Sequence, residues 1–164
     1  MLLFLLSIPF LAQGTAMIFD EFYFHRRRGL PRWERLGHPA DTLTVLATYA
    51  FLLLSSPTLT NLLIYTALAL FSCVFVTKDE FIHKEECESS EMWLHSVLFI
   101  LHPLSFLSAA LIVYLKPQLL DAGLTLTQMS FLESLIVGQV FIVIAFLVYQ
   151  IVYWNILYDA KIRN

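Results

Sequence analysis

The chain has 164 residues, of which 59% are hydrophobic and only 14% are charged. Soluble domains usually carry about 25% charged residues, so this composition excludes an ordinary water-soluble protein and indicates an integral membrane protein. The formal net charge of -3 and the lack of a basic stripe interleaved with aromatic residues set aside a nucleic-acid partner.

Five apolar segments predict five membrane-spanning helices in one membrane domain, 1–164. In chain order they cover residues 1–19, 42–56, 58–77, 92–115 and 128–158. A spanning helix needs about 20 residues, so the second segment is short unless Asp41 and its neighbours are included, and the fifth must tilt or extend beyond the bilayer. The first segment has small residues suited to signal-peptide cleavage, but it lacks a basic start, so we expect a retained helix.

The basic residues predict how the chain is oriented. With five spans, nine of the ten Lys and Arg residues lie on one side, and only Lys116 lies on the other. Cytoplasmic loops are enriched in Lys and Arg, which places the N-terminus outside and both the C-terminus and the two polar loops in the cytoplasm. Tyr149 and Trp154 are then expected to mark the cytoplasmic interface as part of an aromatic belt.

The two polar loops resemble each other. The first, "DEFYFHRRRGLPRWERLGHPAD" at 20–41, and the second, "DEFIHKEECESSEMWLH" at 79–95, both begin with Asp-Glu-Phe and end in Glu-x-x-x-His regions. The similarity predicts that hairpins 1–56 and 58–115 form a parallel repeat and a four-helix bundle, to which the fifth helix, 128–158, is added. Chance recurrence of short motifs is the alternative. In the first loop, Gly37 and Pro39 predict a break before the second helix.

Carboxylates and histidines recur at helical spacing near the cytoplasmic ends of the first four helices. Residues four apart share a helix face, as Glu91 and His95 do. Ionisable groups within spanning segments cost about 2.5–3.5 kcal/mol each on insertion scales, so they are kept where they pair or bind a cation. The candidate metal ligands are Glu21, His25, His38, Asp41, Asp79, Glu80, His83, Glu91 and His95. Glu34 and His102 are candidates for a supporting or proton-relay role.

Mixed carboxylate and imidazole ligands indicate iron, zinc or manganese rather than magnesium or calcium, and we favour iron. Because the candidates outnumber the ligands of one tetrahedral site, two ions are expected. Haem is disfavoured, since His102 has no partner histidine at matching depth on another helix. The alternative is an ion-pair network, in which the five arginines of the first loop neutralise the carboxylates without a metal.

Three functions are consistent with this pattern. The first is a membrane oxidoreductase with a two-metal centre that acts on a lipid, a quinone or another apolar substrate. The second is a non-catalytic scaffold, as a homo-oligomer or as a subunit of a membrane complex. The third is a metal or proton carrier, which the crowding of polar groups on one side of the membrane disfavours. Hydrolase and nucleotide-binding motifs are absent from the sequence.

Overall fold

The computed structural model describes residues 1–80 and 87–158, which are helical apart from short connections. We label the helices α1 (Leu2–Arg28), α2 (Arg32–Leu54), α3 (Leu59–Lys78), α4 (Ser89–Tyr114), α5 (Lys116–Asp121) and α6 (Leu126–Leu157). The predicted all-α class is confirmed.

Four of these helices, α1, α3, α4 and α6, are long and apolar enough to cross a membrane. The protein is therefore a membrane protein. Helix α2 has 23 residues, which is a sufficient length, but its first half carries charged side chains that lower its hydropathy. The count of five spans and the orientation of the chain stay predictions.

The helices pack as a ring in which α6 is an integral member. Helix α1 packs against α4 and α6, α2 packs against α3 and α6, and α3 packs against α4. Helix α6 buries Met129, Leu132 and Ile136 on one stripe, against Tyr49 of α2 and Phe106 of α4. The structure thus does not confirm a four-helix bundle with α6 added to it, because the buried stripe of α6 contributes to the common core.

The predicted break at Gly37 and Pro39 is wrong, since α2 runs without interruption from Arg32 to Leu54. A proline inside a helix leaves the carbonyl four residues earlier without its usual donor, which here is that of Arg35. The side-chain amide of Asn155 donates to this carbonyl at 2.8 Å. A neighbouring helix thereby satisfies the freed carbonyl, and α2 continues through the proline.

Two helices change geometry at the same end of the bundle. Helix α1 becomes a π-helix over Asp20–His25, and α6 becomes one over Gln150–Leu157. A π-turn bonds residue i to residue i+5 and occurs frequently at functional sites. The two segments lie side by side, because the Tyr149 hydroxyl, just before the second one, donates to Glu21 in the first at 2.9 Å.

Candidate metal centre

Four buried side chains from α1 and α4 converge at this end of the bundle. Asp20, His25, Glu91 and His95, which we call the four-residue group, each offer a ligand atom, and these atoms lie within 4.8 Å of one another. Each of the four residues is at most 6% exposed. Buried acidic and histidine side chains at such distances have the geometry to hold a metal ion.

Asp20 belongs to the group although the spacing of the sequence favoured Glu21. In an α-helix, Glu21 shares a face with His25, four residues later. The π-turn instead brings the residue five positions earlier to His25, and Asp20 Oδ2 lies 3.3 Å from His25 Nε2. Asp20 Oδ1 also lies 2.9 Å from His95 Nε2. The Asp-Glu-Phe motif drew attention to this place, but the sequence has no signal for the π-turn.

Glu21 lies behind His25 and is fully hydrogen-bonded. Its Oε1 accepts from Trp154 Nε1 at 2.6 Å and from the Tyr149 hydroxyl at 2.9 Å, while Oε2 lies 3.2 Å from His25 Nδ1. Trp154 is 1% exposed, so its expected place in an interfacial aromatic belt is wrong. It points inward instead, because the π-helical end of α6 packs against α2 and its indole N–H reaches Glu21.

A second, overlapping group extends towards α2. His25, Glu34 and His38 also offer ligand atoms within 4.8 Å of one another, and the rings of His25 and His38 stack with centroids 4.9 Å apart. Asp41 lies at its edge, where the Lys78 ammonium is 2.6 and 2.7 Å from its two oxygens. This ion pair gives Asp41 a cationic partner of its own.

Arg28 connects three helices at the end of α1. Its Nη2 lies 2.9 Å from Glu34 Oε2 and 2.9 Å from Glu91 Oε1. Burial alone raises the pKa of the fully buried Glu34, but the neighbouring His38 and Arg28 lower it to about 2. Glu34 is therefore a carboxylate near neutral pH. Part of the expected ion-pair network is present.

Not every predicted ligand is at this centre. Glu80 is outside both groups formed by the described residues. His83 lies outside the described residues, as does the side chain of Asp79. His102, expected in a supporting or relay role, is bonded to Gln13 of α1 and Ser72 of α3, each at 3.1 Å.

The charges of this region do not balance when its histidines are neutral. We call the charged cluster the set Asp20, Glu21, His25, Arg28, Glu34, His38, Glu91 and His95. It contains four carboxylates and one guanidinium. An unbalanced buried charge is strongly unfavourable, so within the described residues this set favours a bound cation, protonated imidazoles or nearby guanidinium groups. Arg26 beside Glu21 and the buried Arg35, which donates to the carbonyl of Trp154, supply such groups at the edge of the cluster.

A cavity of about 260 Å³ adjoins the charged cluster. Asp20, His38 and His95 line one end, and Gln13 and His102 line it deeper in the bundle. The walls between them are mainly apolar, formed by Met17, Val45, Leu98, Phe99, Val143 and Phe146. A molecule in this cavity would contact two of the four convergent side chains, Asp20 and His95, and a hydrocarbon surface.

Fold and site together define the class: a helical membrane protein with a buried carboxylate–histidine centre beside an apolar cavity. Comparisons with protein-family models, with curated proteins and with solved structures find no match. The function is therefore argued from the residues of the site.

Proposed function

We propose that the four-residue group binds one divalent metal ion and that the protein is a membrane oxidoreductase for an apolar substrate. The observation that carries the proposal is the convergence of Asp20, His25, Glu91 and His95, all buried, with ligand atoms within 4.8 Å of one another. Two carboxylates and two imidazoles form a ligand set suited to a transition metal.

The orientation of His25 supports metal binding. Its Nδ1 faces the carboxylate of Glu21 at 3.2 Å, which favours a proton on Nδ1 and a lone pair on Nε2. Nε2 makes no hydrogen bond to any described residue, although Asp20 Oδ2 and Glu91 Oε1 lie 3.3 and 3.7 Å away. A metal-binding histidine usually donates the N–H of one ring nitrogen to a carboxylate and binds the metal through the other nitrogen.

The charge of the cluster supports a cation over protonation. Within the cluster, four carboxylates and Arg28 leave three negative charges, which Arg26 and Arg35 at its edge offset only in part. Balancing the cluster's own charges by protonation would require all three imidazole rings to be charged, with centroids 4.9 Å apart for His25–His38 and 6.3 Å apart for His25–His95. Like charges at these distances repel, whereas one divalent ion removes most of the imbalance.

One ion per chain is better supported than the two expected from the sequence. The two groups share His25, and because its Nδ1 faces Glu21, we expect only Nε2 to be available as a ligand to either group. Iron remains favoured over zinc and manganese, because the site resembles the two-histidine, one-carboxylate sites of non-haem iron oxygenases, with a second carboxylate added. Zinc is the main alternative, since it takes similar ligands in metalloproteases.

The cavity supports an apolar substrate such as a lipid or a quinone. Its hydrocarbon walls reach Asp20 and His95, so they would bring a substrate to the metal and exclude water. Bound iron would supply the redox chemistry, while Glu21 orients His25 and Arg28 holds Glu91 in place. We further propose that the apolar part of α2, from residue 42 onwards, is a fifth span, with Glu34 and the rest of the charged cluster on its cytoplasmic side.

Metal analysis of the purified protein tests the proposal. We expect about one iron per chain after expression in iron-containing medium. His95→Ala and Glu91→Gln should lose most of the metal. The matched variants His102→Gln and Glu133→Gln should keep it, because neither residue belongs to the four-residue group. His38→Ala should also keep about one ion.

A scaffold is the second candidate function, and Arg28 is the observation that favours it. Its guanidinium bridges Glu34 of α2 and Glu91 of α4 from the end of α1, which joins three helices without a metal. Wild-type protein without metal, with a fold that is stable in chelator, would contradict the metal site and favour this function.

A further inference from the structure

A chain of hydrogen bonds crosses the bundle at the deeper end of the cavity. Gln13 Nε2 lies 3.1 Å from His102 Nδ1, and His102 Nε2 lies 3.1 Å from Ser72 Oγ. Ser72 Oγ is 2.7 Å from Thr44 Oγ1, which donates to the carbonyl of Asp41 at 2.7 Å. The chain links α1, α4, α3 and α2.

Only one arrangement of donors and acceptors forms every hydrogen bond in this series. The hydroxyl hydrogen of Thr44 is used on the carbonyl of Asp41, so Ser72 must donate to Thr44. Ser72 must then accept from His102 Nε2–H, which leaves His102 Nδ1 as an acceptor for the amide N–H of Gln13. The chain therefore fixes the Gln13 amide with Nε2 towards His102 and Oε1 as a free acceptor.

This acceptor has no hydrogen-bond partner among the described residues. Gln13 is 8% exposed, and its Oε1 is buried. An unsatisfied amide oxygen in a membrane interior costs several kcal/mol, because neither water nor lipid chains supply a donor there. The position is therefore suited to a donor from a bound molecule.

A second amide lines the same cavity. Gln139 of α6 makes no side-chain hydrogen bond within the part of the chain that the structure describes. The contact of Tyr149 with Glu21 sets the register of α6 against α1. Gln13 precedes Glu21 by eight residues and Gln139 precedes Tyr149 by ten, which at 1.5 Å per residue places both about 12–15 Å from the charged cluster.

We propose that the cavity binds a neutral aliphatic alcohol, with its hydroxyl at Gln13 and Gln139 and its chain directed towards the charged cluster. A hydroxyl can donate to Gln13 Oε1 and accept from the Gln139 amide, whereas an ether or a ketone cannot donate. The mainly apolar walls accept the chain. That the far end of the alkyl chain reaches the metal rests on the proposed function. The binding of the alcohol at Gln13 and Gln139 does not.

The test compares two isomeric probes, 1-octanol and heptyl methyl ether, which differ in the presence of a hydroxyl donor. Binding of each radiolabelled probe is measured by equilibrium dialysis against the protein in nanodiscs, with binding to empty nanodiscs subtracted. We expect the wild type to prefer the alcohol about tenfold, the contribution of one or two hydrogen bonds to a buried group. Gln13→Leu and Gln139→Leu should lose this preference. Gln118→Leu, on the exposed face of α5, should keep it.

Several outcomes would overturn the proposal. Equal binding of the two probes is one, and a preference that survives both cavity variants is another. Absence of binding of either probe to the wild type is a third. Gln139→Leu is the control for misfolding, because Gln139 makes no side-chain hydrogen bond to a described residue and its replacement therefore breaks none.

Metal content separates this proposal from the proposed function. The same dialysis is repeated with His95→Ala and with chelator-treated wild type. An alcohol preference without any metal in the wild type would refute the metal centre alone. Metal at one ion per chain without an alcohol preference would refute the alcohol site alone.

Discussion

At the scale of single residues, Glu21 connects the candidate metal ligand His25 to α6. Its carboxylate receives Trp154 and Tyr149 from α6 and faces His25 on its other side. A buried carboxylate requires such donors, because its own desolvation is unfavourable. The position of His25 therefore depends on side chains more than a hundred residues away in sequence.

Trp154→Phe tests this dependence. The substitution removes the indole N–H and leaves the aromatic volume largely in place, so Glu21 loses a 2.6 Å hydrogen bond. We expect the free energy of unfolding to fall by about 1.5–3 kcal/mol, the usual range for a hydrogen bond to a charged group. Unfolding in mixed detergent micelles measures this change. Trp93→Phe, at a side chain that is 70% exposed, is the control, and an equal effect there would contradict the role of Trp154.

The lowered pKa of Glu34 predicts that the stability of the protein depends on pH. Its pKa in the folded protein is lowered from the ordinary 4.5 to about 2, so its contribution to the free energy of unfolding is fully present above pH 4.5. It is lost as the pH falls from about 4.5 towards 2, because the unfolded chain then binds the proton first. The loss is on the order of 3 kcal/mol, at about 1.4 kcal/mol per pKa unit.

The measurement compares chelator-treated wild type with Glu34→Gln at pH 6 and at pH 3. The stability advantage of the wild type should shrink at pH 3, since glutamine does not titrate. A difference between the two proteins that stays constant with pH would show that Glu34 is not held as a carboxylate by Arg28 and His38.

At the scale of helices and turns, local geometry determines which residues meet. The π-turn of α1 brings Asp20 to His25, and the freed carbonyl beside Pro39 is satisfied by Asn155 of α6. The turn between α1 and α2 is equally constrained. Gly29 has φ 79° and ψ 162°, a conformation that is essentially restricted to glycine.

Gly29→Ala should destabilise the protein by about 1–3 kcal/mol through backbone strain, with a further steric contribution. An added Cβ would lie 2.5 Å from the Tyr158 hydroxyl oxygen, at the end of α6. Thermal unfolding of the variant measures the loss. Adding Tyr158→Phe to Gly29→Ala should restore only the stability lost through the steric contact with the hydroxyl. Gly138→Ala, where a Cβ meets nothing within 4 Å, should not destabilise, and a matching loss there would contradict the assignment.

The sequence predicts much of this arrangement but not the local departures from ideal helices. Apolar segments and helical spacing identify the helices and place His25, Glu91 and His95 at one end. Asp20 could not be chosen over Glu21, because a π-turn has no signature in the residues themselves. The continuity of α2 depends on Asn155, a contact between distant segments that no local pattern encodes.

At the scale of the whole molecule, the ring of helices separates two environments. The apolar core around Met129, Leu132 and Ile136 occupies one end, and the charged cluster occupies the other. The sequence did not predict that α6 belongs to this ring. Its apolar stripe requires a partner, but the stripe does not identify which helices cover it.

The distribution of basic residues predicts the orientation of the whole chain. A reporter fused after Asn164 should be found in the cytoplasm, since nine of the ten Lys and Arg residues lie on that side with five spans. Reporter activity in a paired set of periplasmic and cytoplasmic fusions measures this. An external C-terminus would show that the charged cluster faces the outside or that α2 does not cross.

The most direct test of the central claim is anomalous X-ray diffraction at the iron edge from crystals of the iron-loaded protein. We predict one strong anomalous peak per chain, surrounded by Asp20, His25, Glu91 and His95, with their ligand atoms at direct coordination distance, about 2.0–2.2 Å as for zinc with nitrogen and oxygen ligands. The same data collected on His95→Ala should lack the peak. No peak in the wild type, or a peak away from these four side chains, would contradict the metal centre.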